Sequence, residues 1–406
     1  MITSKFRFAV LILVGYWVAW MFPADSVWAG GLYINEFTTP SMGVAGAGAE
    51  AVANDASTSW HNPAGMTRLE GHQLMLGAGV LGSNNEFEAS PSTPFGGGNG
   101  GDAGGFAPLL GTFGVYSVTD DLKLGINIFS ISGAVLEYDS TWTGRYQAQE
   151  MEIITVSINP TVAYRVNDWL SLGVGLVAMY GKLDLTLAVP PGGGGQANIN
   201  GDDLSLGFNA GALIELSPQT RLGVYYLSEQ ELNFSGDLQV QPPGLSLASD
   251  TELTLAQVVR VGMYHELNSQ WALLGTVGWE DWSSVDNLLV STAVIPTVQI
   301  PRNWDDTYHF SVGVHYRPVK DWLLETGFTY DTSPVSDEDR TADMPIDRQL
   351  RYAVGAQHQL TPKLNVGGSF VYVDMGDARI NNPSLLVGEY KTNEIFFFAL
   401  NANWKF

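Results

Sequence analysis

From residue 69 onward apolar and polar positions alternate with a period of two. Leu74, Leu76, Ala78 and Val80 alternate with Gln73, Met75, Gly77 and Gly79. Leu204, Leu206, Phe208, Ala210, Ala212 and Ile214 alternate with Ser205, Gly207, Asn209 and Gly211. The same pattern runs through Thr307–Tyr316 and Leu350–Gln357. Side chains of a strand point alternately to its two faces, so this pattern predicts strands with one face against an apolar phase. A soluble sandwich and a membrane barrel share it, and the connections must decide between them.

The connections alternate short and long. Thr119–Asp121, Asn167–Asp168, Ser217–Gln219, Asn268–Gln270, Pro318–Asp321 and Thr361–Lys363 are tight turns. Between them lie segments rich in Gly, Pro and acidic residues at 83–105, 134–150, 188–202, 235–250, 288–304, 332–347 and 377–392, which read as long loops. Short turns on one side and long loops on the other predict an all-β fold, a transmembrane antiparallel β-barrel of about 14 strands. Asp168-Trp169, Gln270-Trp271 and Asp321-Trp322 restart strands with Trp at the same end, as an interfacial aromatic girdle would. The last strand carries Phe396, Phe398, Leu400, Ala402, Trp404 and Phe406 on one face. Ending on Phe in that spacing resembles the C-terminal signal read by the barrel assembly machinery.

The first 68 residues are built differently. Lys5 and Arg7 precede an apolar run, Phe8 to Phe22, and Val27-Trp28-Ala29 gives a small-residue cleavage site, so 1–29 reads as a secretory signal peptide. Within residues 30–68 the stretch 43–56 is almost all Gly, Ala and small polar side chains, and a turn follows at Asn62-Pro63-Ala64. Such a segment has too few large apolar groups for a core of its own. The prediction is an N-terminal hatch at 30–68 inside the lumen of a barrel at 69–406, with a flexible N-terminal arm as the competing reading of the same residues. The inward set of the strands includes Met75, Val177, Met179, Leu213, Val371, Val373, Ile395, Phe397 and Ala399. These residues suit either a greasy pocket or contact with the hatch.

Composition removes several functions. The chain has 406 residues, no Cys and a net charge of −23. The acidic balance argues against nucleic acid, and the absence of Cys excludes disulfides and thiolate metal sites. Gly97–Asp102 fits a calcium-binding glycine-rich word, but only once, and such sites need stacked copies. Gly46-Ala-Gly48 lacks the strand a dinucleotide fingerprint requires. Ser336–Asp339 reads as a solvated acidic loop. Six His are present, none at a spacing that forces a catalytic triad. The expectation is a non-enzymatic protein without metal or cofactor.

With these features in place the chain resembles the FadL/TodX (OMPP1) family of outer-membrane transporters of hydrophobic compounds. The matching words are Gly31–Glu36, the small-residue run from Gly43, Asn54-Asp-Ala56, Asn62-Pro-Ala64, Gly133–Tyr138, Asn159–Arg165, Asn303–Tyr308 and Tyr330–Val335 followed by Arg340. The resemblance implies a monomeric barrel in the outer membrane of a Gram-negative bacterium, in contact with its lipid. It implies passive uptake of long-chain fatty acids, with aromatic or other neutral hydrocarbons as the alternative and a general porin as the remote one. It implies substrate handling by Leu32 at the start of the hatch, by Asn62, Pro63 and Ala64, and by Gly133, where a kink in the third strand would release cargo sideways. An ordinary loop-edge glycine is the competing reading of Gly133. Lys182, Arg260 and Arg302 are the nearest candidates to hold a carboxylate head, and an Arg there could equally balance the acidic lumen.

Overall fold

The computed structural model describes Tyr33, 37–130, 133–189, 194–242, 244–285, 287–293 and 296–406. The signal peptide and Leu32 lie outside the described residues. The strands are β1 (Gln73–Ala89), β2 (Phe106–Ser117), β3 (Leu122–Phe129), β4 (Gly133–Glu137), β5 (Glu150–Asn167), β6 (Leu170–Val189) and β7 (Gly195–Ser217). They continue with β8 (Thr220–Leu227), β9 (Gln230–Gln241), β10 (Leu245–Leu255), β11 (Val258–Glu266), β12 (Trp271–Glu280), β13 (Asn287–Thr292) and β14 (Val298–Pro301). The last are β15 (Thr307–Tyr316), β16 (Trp322–Asp331), β17 (Gln349–Thr361), β18 (Leu364–Asp374), β19 (Ile380–Asn382) and β20 (Leu386–Lys405). The pairs β3–β4, β8–β9 and β10–β11 are interrupted staves, and β13, β14 and β19 stand outside the ring, so the barrel has 14 staves. It closes where β1 meets β20 antiparallel, from Gln73 opposite Lys405 onward.

The alternation fixes what faces lipid. Val174, Leu176, Leu204, Leu206, Val312, Val354, Phe398 and Leu400 are exposed on the outer face, while Met75, Val177, Met179, Leu213, Val371 and Val373 are buried inside. Trp169, Trp271, Trp322 and Trp404 are exposed near the tight turns, at the height an aromatic girdle occupies. No helix among the described residues is long and apolar enough to cross a membrane; crossing is by strands.

Several expected loops are strand instead. Residues 188–202 and 235–250 were expected to be loops, but Val189 pairs with Gly195, β7 runs for 23 residues, and β9 and β10 form a hairpin from Leu245 opposite Val240. Only about 9–11 residues are needed to cross. The remainder of these strands rises above the bilayer, where the outer face meets water while Ala197, Ile199, Leu232 and Phe234 stay buried on the inner one, and Gly, Asn and Asp suit such a strand as well as a loop.

Inside the ring sit four short helical turns, Pro40–Val44, Ala49–Val52, Thr58–His61 and Pro63–Arg68. The wall receives them on glycines. A Cβ on Gly223 would collide with the Glu50 carbonyl oxygen, one on Gly327 with the Val44 carbonyl, and one on Gly77 with Thr38. Gly79 and Gly207 pack against neighbouring strands, whereas Gly77, Gly223 and Gly327 are part of the footprint of this segment. Polar bonds add to it: the Thr329 hydroxyl donates to the Ala45 carbonyl at 2.6 Å, and Thr276 donates to the Glu50 carboxylate at 2.8 Å.

Candidate functional site

Above the small helices the lumen is filled by apolar side chains from many strands. Val177, Met179, Leu183, Tyr225, Leu227, Leu232, Phe234, Leu253 and Leu255 belong to one buried cluster with Phe37, Trp60 and Phe129. Its outer end is aromatic. Trp304 meets Trp282 edge-on at 5.5 Å, Trp282 lies 5.1 Å from Tyr33, and the Tyr33 hydroxyl donates to the Ala256 carbonyl at 2.6 Å. Its inner end is aromatic too. Trp60 stands 5.9 Å from Tyr225 and 4.7 Å from Phe129, and Phe129 is 5.0 Å from Phe37 and 5.6 Å from Phe113. Edge-to-face contacts in this range are the favoured aromatic geometry. A column of this kind holds an apolar guest by area and dispersion, with few directional demands.

The wall beside the inner end is broken. Phe129 is opposite Ser157, but Gly133 is opposite Ile154, so the register slips by one residue between β3 and β4. β2 pairs with β3 only from Gly111, opposite Phe129. Its outer half, Phe106 to Leu110, bonds β1 on one side and no described strand on the other. β4 in turn pairs with β5 alone. Glu137 N–H donates to the Ala103 carbonyl at 2.9 Å and closes the top of the gap. Gly133 is the first residue of β4, directly after the break; Leu136 is buried and Val135 exposed.

The expected site residues divide. Asn62 is fully buried: its amide donates to the Glu50 carbonyl at 2.8 Å and the Ala212 carbonyl at 2.9 Å, and its side-chain oxygen accepts from Ala64 N–H at 3.1 Å. Pro63 and Ala64 lie against Gly173 of β6. This turn ties the inner segment to the wall and stands apart from the apolar column. Arg302 is buried in the outer loops, where it meets Asp343 through two bonds, 3.0 and 2.6 Å, and Thr341 at 2.5 Å. Its guanidinium is therefore committed to a protein carboxylate. Arg260 faces Glu280 at 2.9 Å, and Lys182 lies on the outer surface, 2.9 Å from Glu152. The acidic loop is tied internally, Asp337 to Arg340 at 2.8 Å and Asp339 to Asn303 at 2.7 Å. Sequence reasoning missed Trp282, Trp304 and Tyr225. The available signal was a lone aromatic in a polar loop, as in Glu280-Asp-Trp-Ser-Ser284 and Arg302-Asn-Trp-Asp305.

The inward apolar residues serve both expected purposes. Val371, Val373, Phe397 and Ala399 enclose Met42 and Ala45, and Leu213 packs on Ala53 and Ala64, whereas Val177 and Met179 line the column.

A 14-stave barrel with a lumen filled from within and a greasy column reaching a gap in its wall defines an outer-membrane transporter of hydrophobic compounds. The family model described as outer membrane protein transport protein (OMPP1/FadL/TodX) matches residues 20–406, and the chain belongs to that family. It is 25% identical to the long-chain fatty acid transport protein of Salmonella typhi, over 94% of this chain and 96% of the relative. Identity to the protein of that name from Escherichia coli K12 is 24%, over 94% and 96%. Among solved structures, a Pseudomonas aeruginosa FadL homologue superimposes with a TM-score of 0.84 at 22% identity, covering 93% of this chain and all (100%) of the other. The Pseudomonas putida toluene transporter TodX does so with 0.72 at 16% identity, covering 94% and 99%. The protein is a transport channel of the outer membrane and not an enzyme.

Proposed function

We propose that the protein takes up long-chain fatty acids and similar hydrophobic small molecules by passive diffusion and releases them sideways, through the gap between β2 and β4, into the bilayer. The observation that carries this reading is the unpaired edge of Phe106 to Leu110 facing β4 across the register slip at Gly133. An apolar molecule leaving the column through water would lose about 25 cal/mol for each Å² re-exposed; a side exit avoids that loss. The segment at 30–68 acts as a hatch that blocks the straight path to the periplasm, and its deletion is expected to raise single-channel conductance. The fatty-acid cargo follows the names of the relatives.

A second reading, a neutral aromatic hydrocarbon, is favoured by one observation. The buried guanidiniums of Arg302, Arg340 and Arg351 and the half-buried one of Arg260 face carboxylates already, and buried Arg221 donates to the Ala51 and Val52 carbonyls of the inner segment. The aromatic ends of the column would also suit a ring.

The chain contains no Cys, so a pair introduced as Ala107→Cys and Gly133→Cys can be joined selectively by a bismaleimide. Joining them is expected to stop uptake of radiolabelled fatty acid or toluene while leaving binding intact. Uptake that continues in the joined protein would show that cargo leaves by another path.

A further inference from the structure

Three asparagines cross the inner wall immediately below the side gap: Asn127 on β3, Asn159 on β5 and Asn209 on β7, each fully buried. Asn127 is one inward position before Phe129, the last residue of β3, and Ser157 sits opposite Phe129. The strand between Asn159 and Asn209, β6, places Gly175 between the two amides; a Cβ there would stand 2.5 Å from Asn209 Oδ1 and 2.7 Å from Asn159 Nδ2. The glycine lets the amides meet across a strand.

Their orientations follow from one bond. Asn159 Nδ2 donates to the Leu176 carbonyl at 2.6 Å, and a carbonyl can only accept. Asn159 Oδ1 therefore points at its neighbours and accepts from Asn127 Nδ2 at 3.1 Å and Asn209 Nδ2 at 3.3 Å. Both neighbours must present NH₂ groups, which leaves Asn127 Oδ1 and Asn209 Oδ1 without partners, along with Ser157 Oγ. Native interiors rarely leave buried acceptors unmatched.

Resting on the transport reading above, we propose that Asn127, Asn159 and Asn209 form an uncharged amide sill inside the side gap. It accepts a hydrogen bond from a neutral hydroxyl on the cargo. The favoured cargo is then an amphiphile with an –OH group: a long-chain alcohol, a phenol, or a fatty acid in its protonated form. Two carbonyl acceptors repel a carboxylate, and the sill carries no cation to hold one. A fatty acid passes with its proton and leaves with it, so no proton moves within the chain.

The test compares 1-dodecanol with its methyl ether, which keeps the skeleton and loses the donor. Both are offered to vesicles carrying the full protein, wild type or Asn127→Leu/Asn209→Leu. The wild type is expected to favour the alcohol by about tenfold, the worth of one buried hydrogen bond. The double variant is expected to lose that preference by slowing the alcohol alone. Gly175→Ala, which crowds the amides without removing them, is a second route to the same loss. A wild type that treats alcohol and ether alike overturns the sill, and so does a preference that survives in the variants. Equal slowing of both compounds makes the ladder structural only and also overturns it. If the wild type carries neither compound, the transport reading fails and the sill falls with it.

Discussion

The lumen has two unlike walls. Along β5 to β10 the apolar inward positions include Met151, Val177, Met179, Leu227, Phe234 and Leu253, with Thr155, Ser157, Asn159 and Asn209 among the polar ones between them. Along β15 to β17 they are His309, Ser311, His315, Glu325, Thr329, Asp331, Arg351 and Gln357. Asp331 there is held between His309 at 2.6 Å and Arg351 at 3.0 Å. The apolar stretches of the first wall offer area without direction, which suits a guest that must slide. The second offers fixed bonds, which suit parts that must stay, and Thr329 uses one of them on the Ala45 carbonyl. The inner segment is nevertheless bonded on both sides, to the Ala212 carbonyl of β7 through Asn62 and to Arg221 of β8 through the Ala51 and Val52 carbonyls, while the apolar surface for cargo lies on one side only.

The largest effect is expected from breaking the polar wall. Asp331→Leu removes the carboxylate that His309 and Arg351 share, breaking a buried pair at a cost of about 3–5 kcal/mol. Met179→Leu on the apolar wall, a volume-conserving swap, should cost less than about 1.5 kcal/mol. Urea unfolding in lipid vesicles measures both, and equal costs would erase the distinction between the walls. Gly223→Val tests the docking of the inner segment: overpacking against the Glu50 carbonyl should cost about 1–3 kcal/mol and raise single-channel conductance.

A smaller, local effect concerns the outer loops. Burial alone would raise the Asp343 pKa, but the Arg302 charge and the bonds from Arg302 and Thr341 outweigh it and hold the carboxyl below its usual range. A depressed carboxyl contributes stability above its unfolded pKa, about 3.9, and loses it as pH falls through the lower folded value. Protease resistance of these loops should therefore be flat between about pH 5 and 8 and weaken below about pH 4. Arg302→Met should remove that protection at neutral pH. The smallest effect is Lys182→Ala. Its partner is exposed, so stability should change by no more than about 0.5 kcal/mol, and uptake should not change because the side chain faces outward.

The staves were legible because a lipid-facing strand cannot avoid alternation: Leu204, Leu206 and Phe208 show it without help from any neighbour. The strand extensions were not. Asn198, Asn200 and Asp202 pair with β9, and the buried apolar positions beside them are only Ala197 and Ile199, too short an alternation among Gly, Asn and Asp to stand out as a strand. The side gap was half legible. Gly133 stands at the break, yet the slip that opens it is a relation between two strands, and no residue of β3 announces the register of β5. The aromatic column gathers Trp60, Phe129, Tyr225 and Trp282 from four distant places, and their proximity is written only in the closure of the barrel. Arg302 illustrates the converse: a cation was visible, but its carboxylate, 41 residues downstream, was not.

The glycine footprint has a consequence for how such a sequence can drift. Where the wall meets the inner segment at the Val44 and Glu50 carbonyls, the touching atoms are backbone, which every amino acid supplies. Substitution at Val44 can alter its side chain and leave that carbonyl in place, whereas any replacement of Gly327 inserts matter into the joint. The two sides of the seam therefore accumulate change at unequal rates, and relatives should differ more in the small inner segment's side chains at these contacts than in the glycines that receive it.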